Sequence, residues 1–278
     1  MKCIVTGGTG FIGRYVAERL RRSAHDVVVW GRKPQFGTLE GCDAVINLAG
    51  EPVAQRWNDE VKRRIRDSRV LGTRELVDAI SRLAVKPRVL VSASAIGFYG
   101  DRGDEVLTES SAPGAGFLVD VCKSWEAEAD RARESGLRVA KLRIGFVLGK
   151  DGGALAKIVP AFRAFSGGRL GSGKQWMPWI HVADVAEMFA HAVENDVSGV
   201  WNATSPSPLT NAVFTAELAA SLHRPALFPA PQFALKLAFG EFAQHMLDSA
   251  RVVPEAALRA GFHFRYPDLE PALSDLLS

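Results

Sequence analysis

The 278-residue chain has few of the features that would hold a fold together by covalent bonds or metal. Cys3, Cys42 and Cys122 are scattered and odd in number, which suits reduced, packed thiols rather than a disulfide framework or a zinc site. No uninterrupted apolar run approaches the roughly 18 residues of a membrane span. The 34 basic and 31 acidic residues leave a net charge of +3, too small to argue for nucleic acid. Met1 runs at once into "KCIVTGG", a strand entering a glycine turn, so the expectation is a chain without signal peptide or presequence, soluble and cytoplasmic. Hydrophobic residues at 47% and charged residues at 23% are ordinary globular values.

What is present is alternation. "KCIVTG", "DVVVWGR", "DAVINLAG", "PRVLVSAS" and "RVAKLRIGFVLG" read as strands. Between them, "FIGRYVAERLRRS", "DEVKRRIRDSRVLGTRELVDAISRL" and residues 117–135 read as helices. Strand alternating with helix predicts an α/β fold with a parallel sheet and right-handed crossovers. Only "KPQFGTLEGC" separates the second and third strands, so the crossover helix there is cut down or lost. Beyond residue 150 the chain turns rich in glycine, aromatics and then proline, which reads as a second lobe. "IHVADVAEMFAHAVEN" and "GVWNAT" read as a helix and strand that return to the first sheet. The expected division is therefore 1–151 with 181–204 as a nucleotide-binding domain, and 152–180 with 205–278 as a small, discontinuous lobe.

"VTGGTGFIGRYVAERL" places Gly7, Gly8, Gly10 and Gly13 between a strand and a helix. Such spacing brings backbone N–H groups and a helix N-terminus up to a pyrophosphate, and lets helix and strand pack closely at Gly13. An NAD site usually carries an acid about 20 residues further on, at the end of the second strand. Here that end reads "VVVWGRK". Arg32 and Lys33 are suited to a 2′-phosphate instead, which favours NADP(H) over NAD(H), although two solvated loop cations would look the same. "NLAG" offers small residues at a strand end, where cofactor contact and simple packing are both open.

Together, "TGGTGFIG", "NLAGE", "SASAIGFYG" and "PWIHVADVA" resemble the extended short-chain dehydrogenase/reductases. "NLAGEPVAQRW", "DSRVLGT", "FLVDVCKSWE", "GSGKQWMPWIHVADV" and "RVVPEAALRAGF" resemble their atypical epimerase-family branch, some of whose members are labelled cell-division inhibitors. The resemblance spans nearly the whole chain. It implies a Rossmann-type doubly wound sheet, a small C-terminal lobe and bound NADP(H). Carried over by position, Gly7, Gly10, Phe11 and Ile12 would meet the pyrophosphate. Gly31 with Arg32 would meet the adenosine ribose and its phosphate, Leu48 and Ala49 would line the cofactor, Arg69 would reach it from the long helix, and Val147 would flank the nicotinamide. For Arg69 and its neighbours Lys62, Arg63, Arg64 and Arg66 the alternative is a solvated helix face.

One element of the parent superfamily is missing. A Tyr and a Lys four residues later share a helix face, where the ammonium lowers the phenol's pKa from about 10. "GFLVDVCKSWEAEA" contains no tyrosine. With Lys123 as the lysine its partner is Val119; with Glu126 fixing the frame the pair is Leu118 and Cys122. Ser94 is the candidate for orienting a substrate oxygen, with Ser92 as the buried alternative, and Tyr99 is a substitute phenol unless it packs in its loop. His181 with Asp184 reads as a hinge between lobes, and Trp176, Met177 and Trp179 as a pocket wall or an interlobe seam. Two functions follow: an NADP(H)-dependent oxidoreductase or epimerase-like enzyme acting on a small molecule, or an NADP(H)-binding redox sensor or regulator without turnover, with a link to cell division in some relatives.

Overall fold

A computed structural model describes residues 1–31, 33–226 and 229–278. Its centre is a six-stranded sheet of β1 (Lys2–Thr6), β2 (Asp26–Val29), β3 (Ala44–Asn47), β4 (Val89–Ala95), β5 (Arg138–Ile144) and β6 (Gly199–Ala203), in the order β2-β1-β3-β4-β5-β6. Every neighbouring pair is parallel. Its helices include α1 (Phe11–Arg22), α2 (Asp59–Ser81), α3 (Phe117–Asp130), α4 (Val182–Glu194) and α5 (Asn211–Leu222).

The two-residue period of the strands divides the core between the faces. Cys3 and Val5 point to one side, where they pack with Val16 and Leu20 of α1 and Val185 and Phe189 of α4. Ile4 points to the other, with Leu76, Val77 and Ile80 of α2 and Ala129 of α3. The α1 sequence suits this position: Gly13, Val16, Ala17 and Leu20 are buried at helical spacing, and Arg19, Arg21 and Arg22 lie in its last turn, where cations oppose the helix dipole. Helix α2 starts at Asn58, whose side chain accepts from the Val61 N–H at 2.8 Å.

Between β2 and β3 the crossover is reduced to a 3₁₀ turn, Phe36–Leu39, with Leu39 buried. Because β2 and β3 flank β1 on opposite sides, the chain leaves β1 in both directions and opens a crevice at the carboxyl ends of β1 and β3.

"RVAKLRIGFVLG" does not form one strand. At Gly145 the chain leaves the sheet, and Phe146–Gly149 pairs with Trp179–His181 and Gly152–Gly153 in a separate three-stranded sheet. Gly145 donates to the Ala203 carbonyl at 3.0 Å and Phe146 to the Pro178 carbonyl at 2.8 Å; a Cβ at 145 would strike the Pro178 oxygen. The returning helix and strand lie as the alternation predicts, α4 on the sheet face and β6 along β5.

A second core gathers Leu155, Phe162, Trp179, Phe214, Leu218 and Leu273. It draws on chain before and after α4, whereas Ala257 and Phe262 join the first core. Among the described residues no helix is long and apolar enough to cross a membrane, and no cluster of His, Cys, Asp or Glu suits a metal.

Candidate functional site

The turn after β1 is closed too tightly for side chains. Gly7 has φ +65°, and a Cβ there would stand 2.7 Å from the Leu48 carbonyl carbon and oxygen and 2.8 Å from Ala49 N. At Gly13 a Cβ would meet the Gly7 oxygen and come within 2.6 Å of Gly8 Cα. Gly10 is the N-cap of α1, makes no side-chain cap, and no acid occupies the first turn. The backbone N–H groups of Phe11, Ile12 and Gly13 therefore precede the first intrahelical bond, from Arg14 N to the Gly10 oxygen at 3.1 Å, and favour an anion. Phe11 contributes its backbone here. Its ring packs beneath the turn of Gly149, Gly152 and Gly153, and Ile12 packs against the first core.

Around this turn the structure brings several expected positions together. Leu48 donates to the Thr6 carbonyl at 3.1 Å, which sets the β3 end beside Gly7. Gly31 stands by Thr9, with a built Cβ 3.7 Å from the threonine side chain, and Lys33 is exposed. Arg32 lies outside the described residues. From α2, the Arg69 guanidinium covers Gly50, where a Cβ would be 3.1 Å from its Cζ. It donates to the carbonyls of Glu51 and Ile65 at 3.0 and 3.1 Å and faces the Trp125 ring at 5.2 Å. Burial lowers its pKa, with Cys122 and Glu51 opposing. Its neighbours behave differently: Lys62 pairs with Glu241, Arg64 with Glu60 and Arg66 with Asp67 at the surface.

Beyond Arg69 lies a cavity of about 280 Å³ at the carboxyl end of β4. Strand alternation decides what β4 offers it. Ala95 lines the cavity with Ile96 and Gly97, while Ser94 is buried and donates to Glu126 Oε1 at 2.7 Å. Ser94 is thus turned to a charged cluster inside the protein: Glu126 takes two hydrogen bonds from Arg143, at 2.8 and 3.0 Å, and Lys141 Nζ stands 3.7 Å away. Ser92 is fully buried and donates to the Ala93 carbonyl. Tyr99 is also absent from the wall. It is fully buried, its hydroxyl accepts from Arg143 at 3.0 Å, and it sits 2.7 Å from Asn202 Oδ1 and 3.0 Å from the Thr108 carbonyl. Burial raises its pKa, with Arg143 opposing. Of the two readings of this residue, the structure shows the packed one: it ties the loop after β4 to β5 and β6.

On α3, Leu118 and Cys122 both reach the cavity, whereas Lys123 is exposed. Val119 lines the cavity as well, so the two frames separate at their second residue: Cys122 reaches it and Lys123 does not. Cys122 donates weakly to the Ala95 carbonyl at 3.7 Å, and burial pushes its thiol up to about 12. Val147 packs into the first core beside Ile180, and its neighbours Gly145 and Phe146 line the cavity instead.

Later chain adds Trp176, Pro178, Phe242, His245, Met246 and Asp248 to the wall, and Val53 and Ala54 close it from the loop after β3. Of the three pocket-wall candidates, Trp176 is on the wall, while Met177 and Trp179 belong to the second core. His245 Nδ1 lies 2.8 Å from Asp248 Oδ2, and the imidazole rests 4.9 Å from the Trp57 ring. "HMLD" places these groups three residues apart, but nothing local marks the pair, because its surroundings come from Trp57, Arg69 and Cys122.

His181 and Asp184 serve the fold. His181 Nδ1 accepts from Ala183 N at 3.1 Å as the N-cap of α4, and its ring lies 3.9 Å from that of Tyr266. Its Nε2 is 3.3 Å from Asp275 Oδ2 but is not aligned as a hydrogen bond. Asp184 accepts from the backbone N–H groups of Arg265 and Tyr266 at 2.7 and 3.0 Å, so the start of α4 is fastened to the C-terminal segment.

Comparison with known proteins agrees with this arrangement. Residues 3–203 match the NAD dependent epimerase/dehydratase family, and residues 230–276 match a domain of unknown function, DUF1731. The chain is 40% identical to the chloroplastic epimerase family protein SDR39U1 homolog of Arabidopsis thaliana, over 100% of this chain and 87% of that one. It is 36% identical to the epimerase family protein YfhF of Bacillus subtilis, over 100% and 98%. The crystal structure of the human epimerase family protein SDR39U1 (isoform 2) with NADPH superposes with a TM-score of 0.93 at 34% identity, covering 99% of each chain. The chain belongs to the NAD dependent epimerase/dehydratase family and, within it, to the SDR39U1-type epimerase family proteins.

Proposed function

We propose that the protein is an NADP(H)-dependent oxidoreductase acting on a small molecule, with the cofactor's pyrophosphate at the glycine turn and its nicotinamide end toward the cavity. The observation that carries this reading is the turn itself, whose crowding at Gly7 and Gly13 leaves backbone alone beside the uncapped start of α1. The NADPH in the human SDR39U1 crystal structure supports the choice of cofactor. When bound, NADPH supplies a hydride. In this reading Gly7, Gly10, Phe11 and Ile12 hold the pyrophosphate through backbone, Gly31, Arg32 and Lys33 the adenosine phosphate, and Leu48, Ala49 and Arg69 the remainder, with Val147 supporting the nicotinamide end from behind Phe146.

The cytoplasmic placement, the absence of nucleic-acid and membrane partners, and the division into 1–151 with 181–204 and 152–180 with 205–278 belong to the same proposal. Titration with NADPH and NADH, read by tryptophan fluorescence, tests it. NADPH binds more tightly, and Arg32→Asp with Lys33→Asp abolishes that preference; equal affinity for both cofactors in the wild type would overturn the assignment. The inward hydroxyls of Ser94 and Tyr99 favour one second reading, an NADP(H)-binding sensor, in which NADPH binds and no carbonyl compound is reduced.

A further inference from the structure

The cavity wall is apolar along most of its length, with Val53, Ile96, Leu118, Phe146, Trp176 and Phe242. Against that surface stand four ionisable side chains: Arg69, Cys122, His245 and Asp248. Arg69 cannot serve as an acid, because a guanidinium keeps its proton in proteins. Cys122 turns its thiol to the Ala95 carbonyl at 3.7 Å, and burial pushes it up to about 12, which makes it a weak acid. His245 and Asp248 remain, 2.8 Å apart, with side chains 24% and 19% exposed.

Their geometry assigns different tasks. His245 ends the short helix Phe242–His245, and Asp248 returns three residues later on the same side. The imidazole makes no other hydrogen bond among the described residues, so donation of Nδ1–H to the carboxylate leaves Nε2 free for a ligand. The charged groups around it are Arg69 and Asp248 in this cavity and Lys236 and Glu241 in the adjoining one; Glu241 is paired with Lys62 at 2.7 Å. Asp248 is therefore the carboxylate in contact with the ring.

We propose that His245 is the catalytic general acid of this site, that Asp248 is its positioning residue, and that the substrate is a small apolar carbonyl compound, an aromatic aldehyde or ketone, rather than a sugar nucleotide. The proposal rests on the oxidoreductase reading above. In the reduction, a hydride forms the new C–H bond at the carbonyl carbon, the C=O π pair moves to oxygen, and imidazolium Nε2–H passes its proton to that oxygen. The products are the alcohol, NADP⁺ and neutral His245, which regains its proton from solvent at its exposed edge. A nucleoside diphosphate would need several cations; Arg69 alone among the cavity residues carries a positive charge independent of pH.

The test uses the full chain with NADPH and 4-nitrobenzaldehyde, with NADP⁺ and UDP-glucose as the polar comparison, and the variants His245→Gln, His245→Gly and Asp248→Ala. All bind NADPH with wild-type affinity by fluorescence titration, which establishes that they are folded. Wild type reduces the aldehyde and does not oxidise or epimerise UDP-glucose. His245→Gln loses roughly 10²–10⁴ in kcat with KM unchanged, and free imidazole restores turnover to His245→Gly. In ¹⁵N-histidine spectra at alkaline pH the wild-type ring carries its proton on Nδ1, and Asp248→Ala loses that preference. Undiminished turnover in His245→Gln, or a neutral wild-type ring protonated on Nε2 instead of Nδ1 at alkaline pH, would overturn the dyad while leaving the oxidoreductase reading intact. Absence of turnover in the wild type, with NADPH bound, would overturn the reading itself.

Discussion

At the residue scale, the site is defined by which side chains of α3 and β4 face it. Where the wider superfamily carries a tyrosine and a lysine, α3 presents Leu118 and Cys122 to the cavity, and β4 presents Ala95 while Ser94 faces inward. The absence of the tyrosine was legible in the sequence, since one helical segment contains it or does not. Whether Cys122 or Lys123 faced the cavity was not legible, because Val119 and Leu118 are both apolar and the decision rests on how α3 is rotated against β4. The inward turn of Ser94 follows from the strand's two-residue period, but only once Ala95 is known to meet the cavity. Cysteine reactivity tests this assignment of faces. Burial pushes the thiols of Cys122 and Cys3 up to about 12 and about 11, and raises Cys42. All three stay protonated and covered at neutral pH. Iodoacetamide therefore leaves the native chain unmodified by mass spectrometry and labels all three sites in urea; native labelling at Cys122 would contradict a thiol covered against Ala95 and held protonated by burial.

At the element scale, α3 and β5 are joined by a buried ionic cluster that the sequence did not announce. Glu126, Lys141 and Arg143 have side chains 8%, 9% and 5% exposed, and Arg143 also lies 3.4 Å over the Phe98 ring. Removing one partner leaves a buried charge unpaired. Glu126→Ala is expected to destabilise the fold by about 3–5 kcal/mol in urea unfolding, whereas Lys123→Ala, on the exposed side of the same helix, changes little. Equal effects would show that α3 does not pack in this frame.

Helix α4 carries a pH dependence at its N-cap. Burial lowers the His181 pKa from 6.5 to about 4, with Asp275 opposing, so the folded chain holds this ring neutral. Between those values the unfolded chain binds the proton more readily. The contribution is complete above 6.5 and is lost as pH falls toward 4, amounting to about 3 kcal/mol. His181→Asn keeps an acceptor for Ala183 N and removes the titration, so its urea midpoint should fall less steeply across that window than that of the wild type. Identical slopes would contradict the burial of His181. The sequence marked His181 and Asp184 by their place before a helix; their partners Tyr266 and Asp275 lie too far along the chain to be read locally.

At the scale of the whole molecule, the two halves of the site differ in how far apart their residues lie in sequence. The glycine turn, the end of β2 and the end of β3 are short-range features fixed by β1 and the switch in strand order, and their spacing is written in the chain. The cavity is assembled from α2, β4, α3, the Trp176–Pro178 segment and residues 242–250, so His245 and Asp248 come from a segment whose family match carries no assigned function. The same distance explains why Trp179 and Met177 were not separable from Trp176 before their pairings were known. The central claim is that this composite cavity receives a hydride acceptor next to bound NADPH. The most direct measurement is reduction of 4-nitrobenzaldehyde with NADPH deuterated at C4, the two stereoisomers in separate reactions, followed by mass spectrometry of the product. The account predicts that one stereoisomer delivers its deuterium to the alcohol carbon. An unlabelled alcohol from both, or bound NADPH with no alcohol formed, would contradict it.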